Sequence, residues 1–339
     1  MSGIVYPFGE TLPQPGIAME LQPGVRWIRM PLPYALNHIN LWLIEDGDDA
    51  HWCAVDTGLD MGDVKTHWLS LLARHPLSRL IATHYHPDHF GLAGWLQEQT
   101  QAPLSMTQGE YMSAVLYANG IGSYAPAATI EMFRRHGLDA ARVEAMTVRG
   151  NAYGRNVPAI PPAYSVLRGG QSVRIGAHDW RVIIGHGHCP EHAALYAETL
   201  GVLICGDMLL PSITPNIAVF APNPDDDALG DFLQSIRAFA DIPDDVLVLP
   251  SHGRPYRGAR ARVTSLEAHH AERCAVLVEA CRAQPQTACS LISVLFKRDI
   301  TDPHQVLFAM SETIAHLNYL ERRGALTRSS ESGVFRYHA

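Results

Sequence analysis

The side chains best suited to chemistry lie in one short segment, THYHPDHFG, at residues 83–91. Four of them, His84, His86, Asp88 and His89, can bind metal and fall within six residues. Imidazole nitrogens and carboxylate oxygens are the ligands that zinc and neighbouring transition metals bind in proteins. The alternative is a polar loop in which histidines recur by chance. The spacing favours a metal site, which needs no nucleophilic serine or cysteine.

The residues on either side predict how this segment is held. The three residues before it are apolar and indicate the end of a buried strand, and Gly91 to Gln99 favours a helix. On an extended backbone, His84 and His86 point the same way. Asp88 continues this alternation, whereas His89 breaks it and is expected to face a second ion. We therefore predict a strand-to-helix loop on which the side chains converge.

This order of residues resembles the His-x-His-x-Asp-His signature of the metallo-β-lactamase superfamily. Further segments similar to that family follow the family's order over roughly residues 25 to 256. They are Val55-Asp56-Thr57-Gly58, Gly185 to His192, Cys205-Gly206-Asp207 and Pro250-Ser251-His252-Gly253, with Ser251 in place of the family's first glycine. The resemblance implies an α/β fold, the αββα sandwich of that superfamily.

The resemblance also implies a binuclear metal site. Its ligands would be His84, His86 and His188 for one ion, Asp88, His89 and His252 for the other, and Asp207 as the bridge. Asp56 would support the ligand loop, and Asp88 would also orient the attacking hydroxide as a catalytic residue. Zinc is the expected metal for both divalent ions, with iron or manganese as alternatives.

The chemistry implied by such a site is hydrolysis. Two cations close together lower the pKa of a shared water, so that a bridging hydroxide can attack a carbonyl or phosphorus atom near neutral pH. The favoured substrate is a thioester, ester or lactone, as in relatives resembling glyoxalase II. A phosphodiesterase or ribonuclease of the same fold is an alternative. A metal-dependent DNA-binding regulator is an alternative of another class.

Two domains are predicted, a catalytic domain at 1–256 and a mainly helical domain at 257–339. Residues 108–165 fit the family core poorly and are predicted to form a helical insertion that covers the site, packs locally or makes a dimer contact. The C-terminal segment, helices followed by a β-hairpin, resembles the winged-helix module of some hydrolases with this fold. Its candidate recognition helix, 304–323, has few basic residues before its end, which favours packing or oligomerisation.

The charge of the chain bears on its partners. Residues 1–256 hold 15 basic and 26 acidic residues, a balance of −11, and residues 257–339 hold 11 and 8, a balance of +3. An acidic body argues against broad contact with nucleic-acid phosphates, so a small-molecule substrate is expected. The basic cluster that stands out, a candidate for binding substrate phosphates or carboxylates, comprises Arg254, Arg257, Arg260 and Arg262.

The remaining expectations concern compartment and assembly. Six cysteines with no Cys-x-x-Cys pattern, no apolar run near 18 residues and no signal-peptide pattern predict a cytoplasmic protein without a membrane segment. Cys189 and Cys205 are expected to be packing residues beside the ligands. Residues 1–24 are predicted to be an extended arm, on the surface or against a partner subunit, so a homodimer is an open expectation. A hairpin turn is predicted at 46–49.

Overall fold

Strand β3 shows how the sequence builds the first of two facing sheets. Its residues, His38–Glu45, are mostly apolar, as expected for a strand covered on both faces. In the computed structural model, which describes residues 3–47 and 50–339, β3 belongs to a seven-stranded sheet whose strands follow chain order. The strands are β1 (Met19–Gln22), β2 (Val25–Pro31), β3, β4 (Trp52–Val55), β5 (Leu77–Ile81), β6 (Leu104–Met106) and β7 (Ser165–Val166). Strands β1 to β4 pair antiparallel and β4 to β7 pair parallel.

The second sheet has five strands in the order β12-β11-β10-β9-β8. The strands are β8 (Ser172–Ile175), β9 (His178–Gly185), β10 (His192–Ala197), β11 (Val202–Gly206) and β12 (Leu247–Pro250). Strands β11 and β12 pair parallel, whereas the other neighbours are antiparallel. The segments that carry the predicted ligands follow the C-terminal ends of β5, β9, β11 and β12, so these strands determine where the ligands meet.

The two sheets pack face to face around three fully buried tryptophans, Trp27, Trp42 and Trp180. Helices cover both outer faces, and each layer has its own apolar core. The covering helices are α1 (Val64–Leu72), α2 (Pro87–Phe90) and α3 (Ala93–Thr100) on the first sheet and α8 (Ala228–Ile236) on the second, followed by a short 3-10 helix (Arg237–Phe239). This arrangement confirms the predicted αββα sandwich.

Four helices form the insertion between β6 and β7. They are α4 (Gln108–Asn119), α5 (Pro126–Arg135), α6 (Ala140–Arg149) and α7 (Ala152–Asn156), with a 3-10 turn at Gly122–Tyr124. Helix α4 ends at Gly120, whose φ of 60° is the left-handed conformation that favours glycine. Its N–H then caps the last carbonyls of the helix, at Leu116 and Tyr117. The chain can therefore turn back toward the site.

The C-terminal part of the chain packs onto the second sheet. It contains α9 (Ala259–Ala283), α10 (Ala288–Phe296), α11 (Pro303–Arg322), β13 (Thr327–Glu331) and β14 (Val334–His338). The predicted order of helices followed by a hairpin is present, while the likeness to a winged helix stays a prediction. Thr287 caps α10 through a reciprocal pair of bonds with Ser290. Residues 309–318 of α11 are all buried, so this helix is part of the core.

Three further predictions concern the cysteines, the turn at 46–49 and the absence of a membrane segment. All six cysteines are free thiols, and Cys189 and Cys205 are buried in packed surroundings. Two residues of the predicted turn at 46–49, Asp48 and Asp49, lie outside the described residues, but the strands on either side pair antiparallel. Within 3–47 and 50–339, no helix is long and apolar enough to cross a membrane.

Candidate metal centre

The first histidines of the site follow β5 on an extended segment that changes conformation at Pro87. Proline has the φ that a first helical position needs, and α2 begins there. Asp88 and His89 therefore lie on a helical turn. The predicted alternation through Asp88 is wrong for this reason. The helical turn places both side chains in a second group of donors with His252, separate from the group that contains His84 and His86.

Four side chains converge in the first group, His84, His86, His188 and Asp207. The Nε2 atom of His84 lies 2.9 Å from Nδ1 of His86 and 3.2 Å from Nε2 of His188. Asp207 Oδ2 lies 3.5 Å from His188 Nε2. Ligands around a tetrahedral zinc ion with bonds of 2.0–2.1 Å are about 3.3 Å apart. The spacing of these donors is therefore that of a metal-binding group.

Three side chains form the second group, Asp88, His89 and His252. Asp88 Oδ2 lies 3.4 Å from His252 Nε2 and 3.8 Å from His89 Nε2. The other oxygen of Asp207, Oδ1, lies 3.6 Å from Nε2 of both histidines. Asp207 thus presents one oxygen to each group, which is the geometry a bridging carboxylate needs. The structure brings together all seven side chains that the sequence suggested as ligands.

Hydrogen bonds at the far ring nitrogens fix two of these histidines. His188 Nδ1 donates to the Asn216 carbonyl at 2.7 Å, and His252 Nδ1 donates to the His38 carbonyl at 2.8 Å. Because a carbonyl only accepts, Nδ1 must carry the proton in each ring. In the neutral ring, Nε2 is then left as a lone pair directed into the site. Such partners orient metal-binding histidines and raise their basicity.

Asp56, predicted to support the ligand loop, is buried beneath it. Its Oδ1 accepts the Thr83 N–H at 2.7 Å, and its Oδ2 lies 2.8 Å from His89 Nδ1. The Thr83 hydroxyl lies within 3.0 Å of both oxygens. Asp56 itself has a φ of 62°, a left-handed conformation that costs energy in a residue other than glycine. The loop therefore tolerates strain that places this carboxylate under the histidines.

Glu110 is a supporting residue that sequence reasoning missed. It lies on α4 of the insertion and is completely buried. One of its oxygens accepts the Tyr85 N–H at 2.9 Å and the other accepts the Glu191 N–H at 2.6 Å. Burial raises the pKa of Glu110 to about 7. The carboxylate joins the two loops that carry His84, His86 and His188, and nothing in the pattern of α4 signals this.

His192 is a second supporting residue. It is fully buried, and its Nε2 accepts the backbone N–H of Asp207 at 3.2 Å. Gly206 has a φ of 53°, and a Cβ there would lie 2.2 Å from the same nitrogen. Only glycine therefore permits this contact. His192 acts on the backbone of a ligand and is not placed in either donor group.

The ionisation states of the carboxylates and of His84 suit the binding of cations. Burial opposes ionisation of Asp88, but His89 and His252 hold its pKa at about 2. Against the effect of burial, Asp207 and Asp88 raise the pKa of His252 to about 10. Burial and the neighbouring histidines lower the pKa of His84 and keep it neutral, the form that binds metal.

Two buried polar atoms also test whether metals fit. His89 Nε2 and Asp207 Oδ1 have no hydrogen-bond partner among the described residues. A buried polar atom without a partner is costly unless something binds it. The two atoms lie 3.6 Å apart at the second donor group, where an ion held by that group would bind both. The residues present therefore fit a pair of divalent ions.

The site opens into a cavity of about 700 Å³. Its lining is more apolar than polar and comes from four parts of the chain: the loop at 32–36 after β2, the insertion, the loop at 210–220 after β11, and the C-terminal segment 298–311. The insertion thus lines the site, one of the arrangements predicted from sequence. The participation of the C-terminal segment was not predicted.

The arginine cluster suggested as an anion site has other contacts. Arg254 pairs with Glu10 and lies over the ring of Tyr6. Arg262 is buried and donates to the carbonyls of Leu210 and Ile213. None of the cluster lines the cavity. These two arginines hold the N-terminal segment and the pocket loop in place.

Comparison with known proteins defines the class. Residues 35–252 match the model of the metallo-beta-lactamase superfamily, and residues 274–339 match a model described as the metallo-beta-lactamase-like C-terminal domain. The chain therefore belongs to the metallo-β-lactamase superfamily, a family of metallo-hydrolases. Its C-terminal segment matches a domain type that is known to accompany this fold.

Particular relatives resemble the chain over nearly its whole length. It is 44% identical to a beta-lactamase domain protein from Burkholderia ambifaria, with a TM-score of 0.91 over 99% of this chain and 98% of that one. It is 30% identical to the metallo-beta-lactamase family protein TTHA1429 from Thermus thermophilus, with a TM-score of 0.79 over 94% and 99% of the two chains. The probable metallo-hydrolase YqjP of Bacillus subtilis (strain 168) is 24% identical over 88% of this chain and 93% of its own.

Proposed function

We propose that this protein is a binuclear metal-dependent hydrolase that cleaves a thioester, ester or lactone in a small molecule. The observation that carries the proposal is Asp207, whose two oxygens face two adjoining donor groups at the base of a largely apolar cavity. The seven donors would hold two divalent ions, which we propose to be zinc. When bound, the ions supply Lewis acidity and an activated water.

The protein's own residues then have separate roles. Asp88 is half-buried, carries an ionised carboxylate beside His252 and the cavity, and is placed to orient a water. His188 and His252 are held by carbonyls at Nδ1, so that in the neutral, metal-binding form of each ring the Nε2 lone pair would face the cavity side. The apolar lining excludes bulk water and strengthens the electrostatic interactions of the site.

The size and charge of the cavity favour a small acyl substrate over a nucleic acid. A volume of about 700 Å³ suits a ligand of a few dozen atoms at most. A polynucleotide needs a basic track and stacking aromatic residues along an open groove. Phosphodiester hydrolysis is accordingly the second candidate, favoured only by the intact donor set. The burial of α11 argues against a role as a DNA-binding regulator, because a recognition helix must be exposed.

The proposal is tested by a hydrolysis panel on the metal-loaded protein. The panel contains an acyl thioester, a lactone and bis(p-nitrophenyl) phosphate, each with and without a chelator. We expect chelator-sensitive turnover of the thioester or the lactone. Turnover of the phosphodiester alone would replace the proposal with the second candidate. No turnover after zinc, manganese or iron is added back would contradict both.

A further inference from the structure

Arg149 is an unpaired cation on the wall of the cavity. It ends helix α6, is half-buried and lines the same space as the metal-binding side chains. Arg142, two turns earlier on this helix, has its guanidinium paired with Asp139 at 2.6 Å and Asp299 at 2.9 Å. Among the described residues no carboxylate lies within ion-pair distance of Arg149, although the charge of Asp302, which lines the same cavity, acts on it and raises its pKa. Its guanidinium contact is Nη2 to His304 Nδ1 at 2.9 Å.

The contact with His304 leaves most of the guanidinium free to bind a ligand. Burial and the charge of Arg149 lower the pKa of His304, so the ring is neutral and Nδ1 accepts the bond. Burial also lowers the pKa of Arg149, because the charged form is less well solvated in the cavity wall. A guanidinium has five N–H donors. One is used here, and a half-buried cation gains most from an anion that binds the others.

Tyr34 connects this cation to the metal centre. Its ring stacks on His304 with centroids 4.8 Å apart. Burial and the negative charge of Asp88 raise the pKa of Tyr34, whereas the positive charge of Arg149 lowers it. Both charges therefore act on the same hydroxyl. Arg149, Tyr34 and the donor residues Asp88, His188 and Asp207 all line the same cavity of about 700 Å³.

Part of the cavity lining is aromatic. Tyr85 stacks on Tyr117 with centroids 5.4 Å apart and lies 5.6 Å from Tyr153 and 6.4 Å from Phe220. All four side chains line the cavity. This surface suits the hydrocarbon part of an acyl group. The lining of this one cavity therefore offers aromatic side chains for an apolar part of a substrate, the donor groups for a reacting carbonyl and Arg149 for an anionic end.

We infer that Arg149 binds an anionic group, carboxylate or phosphate, on the part of the substrate remote from the scissile carbonyl. The inference rests on the proposed function, because it names the substrate class of that site. Paired N–H donors of a guanidinium match the oxygens of both anions. Arg298, which is exposed at the same wall and bonded to Gln305 at 3.1 Å, adds a second positive charge.

Two matched pairs of thioesters isolate the anionic group. In the first, S-butanoyl-3-mercaptopropionate is compared with S-butanoyl-3-mercaptopropanamide, which differs in a carboxylate. In the second, S-butanoyl-4′-phosphopantetheine is compared with S-butanoylpantetheine, which differs in a phosphate. We expect the anionic member of at least one pair to have a kcat/KM about tenfold higher. The pair that shows the difference identifies which anion is bound.

Variants then assign the effect to one side chain. Arg149→Gln is expected to reduce kcat/KM for the anionic thioester to the level of the neutral one, mainly through KM, and to leave the neutral one within twofold. Arg149→Lys should retain part of the preference. Arg134→Gln is the matched control, because Arg134 is exposed on α5 and lies outside the cavity. An equal loss for both members of a pair in Arg149→Gln would overturn the inference.

A binding measurement separates this inference from the proposed hydrolysis. Titration calorimetry compares 4′-phosphopantetheine with pantetheine, and glutarate with glutaramide, in wild type and Arg149→Gln. A preference of about tenfold for one anion that Arg149→Gln abolishes supports the subsite even if no thioester is cleaved. Equal affinities within both pairs, together with equal kcat/KM values, would overturn the subsite and leave the hydrolase proposal standing.

Discussion

At the scale of single residues, Asp56 shows how one buried carboxylate organises the ligand loop. It binds the Thr83 N–H and the Nδ1 atom of His89 at once, from a strained backbone conformation. Both bonds lie behind the histidines, so they fix the direction of the donor atoms without occupying the site. Partners in this position typically change metal affinity by about 10–100-fold.

Asp56→Asn is therefore expected to weaken metal binding without unfolding the protein. The amide retains one oxygen for Thr83 but presents an N–H₂ group to the protonated Nδ1 of His89, which loses its acceptor. We expect the affinity for the more weakly held ion to fall by about 10–100-fold. Competition with a chromophoric chelator measures this change. Asp63→Asn, an exposed substitution just before α1, is the control, and an unchanged affinity in Asp56→Asn would refute the role of Asp56.

At the scale of elements, helix α11 reaches the metal centre through two hydrogen bonds. Glu312 Oε2 accepts the side-chain N–H of Asn216 at 2.9 Å, and the carbonyl of Asn216 accepts the Nδ1 proton of His188 at 2.7 Å. Asn216 lies on the loop that follows β11, and Glu312 is 8% exposed. The C-terminal segment thus supports the loop that orients a ligand, besides lining the cavity.

The buried carboxyl of Glu312 makes stability depend on pH. Burial raises its pKa from 4.5 to about 7, so ionisation opposes folding. The stabilising contribution of the protonated group is complete below pH 4.5 and is lost as the pH rises through about 7. Glu312→Gln remains neutral, and we expect it to gain stability over wild type between about pH 5 and pH 8, by at most about 3 kcal/mol.

Urea denaturation at about pH 5, 6.5 and 8 measures this difference in the free energy of unfolding. Glu272→Gln is the control, because Glu272 is exposed on α9 and its substitution should give a difference that does not change with pH. If the free energy of unfolding of wild type does not fall relative to that of Glu312→Gln as the pH rises, Glu312 is ionised at no cost in the folded protein and the prediction is wrong.

At the scale of the whole molecule, the C-terminal helices share a core with the second sheet. Leu266, Leu277 and Leu317 belong to the same apolar cluster as Phe232 and Val248. A cluster that spans two sequence segments is expected to unfold as one unit. The division at residue 256 is therefore a boundary in sequence, and we predict no separate unfolding of the segment that follows it.

The chain offers two probes for this prediction. All six tryptophans lie between Trp27 and Trp180, whereas Cys274, Cys281 and Cys289 lie in the C-terminal helices. We expect tryptophan fluorescence and the labelling of the two buried thiols, Cys274 and Cys281, to report one urea midpoint, in a protein whose partly exposed Cys289 has been replaced by serine. Labelling that is complete before the fluorescence changes would contradict a single unfolding unit. Cys53, buried between the two sheets, is the internal control for labelling.

The features that could be predicted from the sequence are those set by residues close together in the chain. The ligand segments were recognisable because each is a short motif at the end of a strand, and the seven side chains meet because those strand ends lie together. Pro87 changed the local conformation in a way that alternation did not anticipate. Glu110, Arg149 and Glu312 could not be found from sequence, because their roles depend on contacts between distant segments, at helix positions typical of exposed polar residues.

The most direct test of the account is the metal content of the protein, measured by mass spectrometry on wild type and Asp207→Ala after equilibration with zinc and removal of free ions. We predict two ions per chain in wild type and at most one in Asp207→Ala, because both donor groups lose a shared carboxylate. Glu198→Ala, exposed in a turn, should retain two. Two ions retained by Asp207→Ala, or fewer than two in wild type, would contradict a binuclear centre bridged by Asp207.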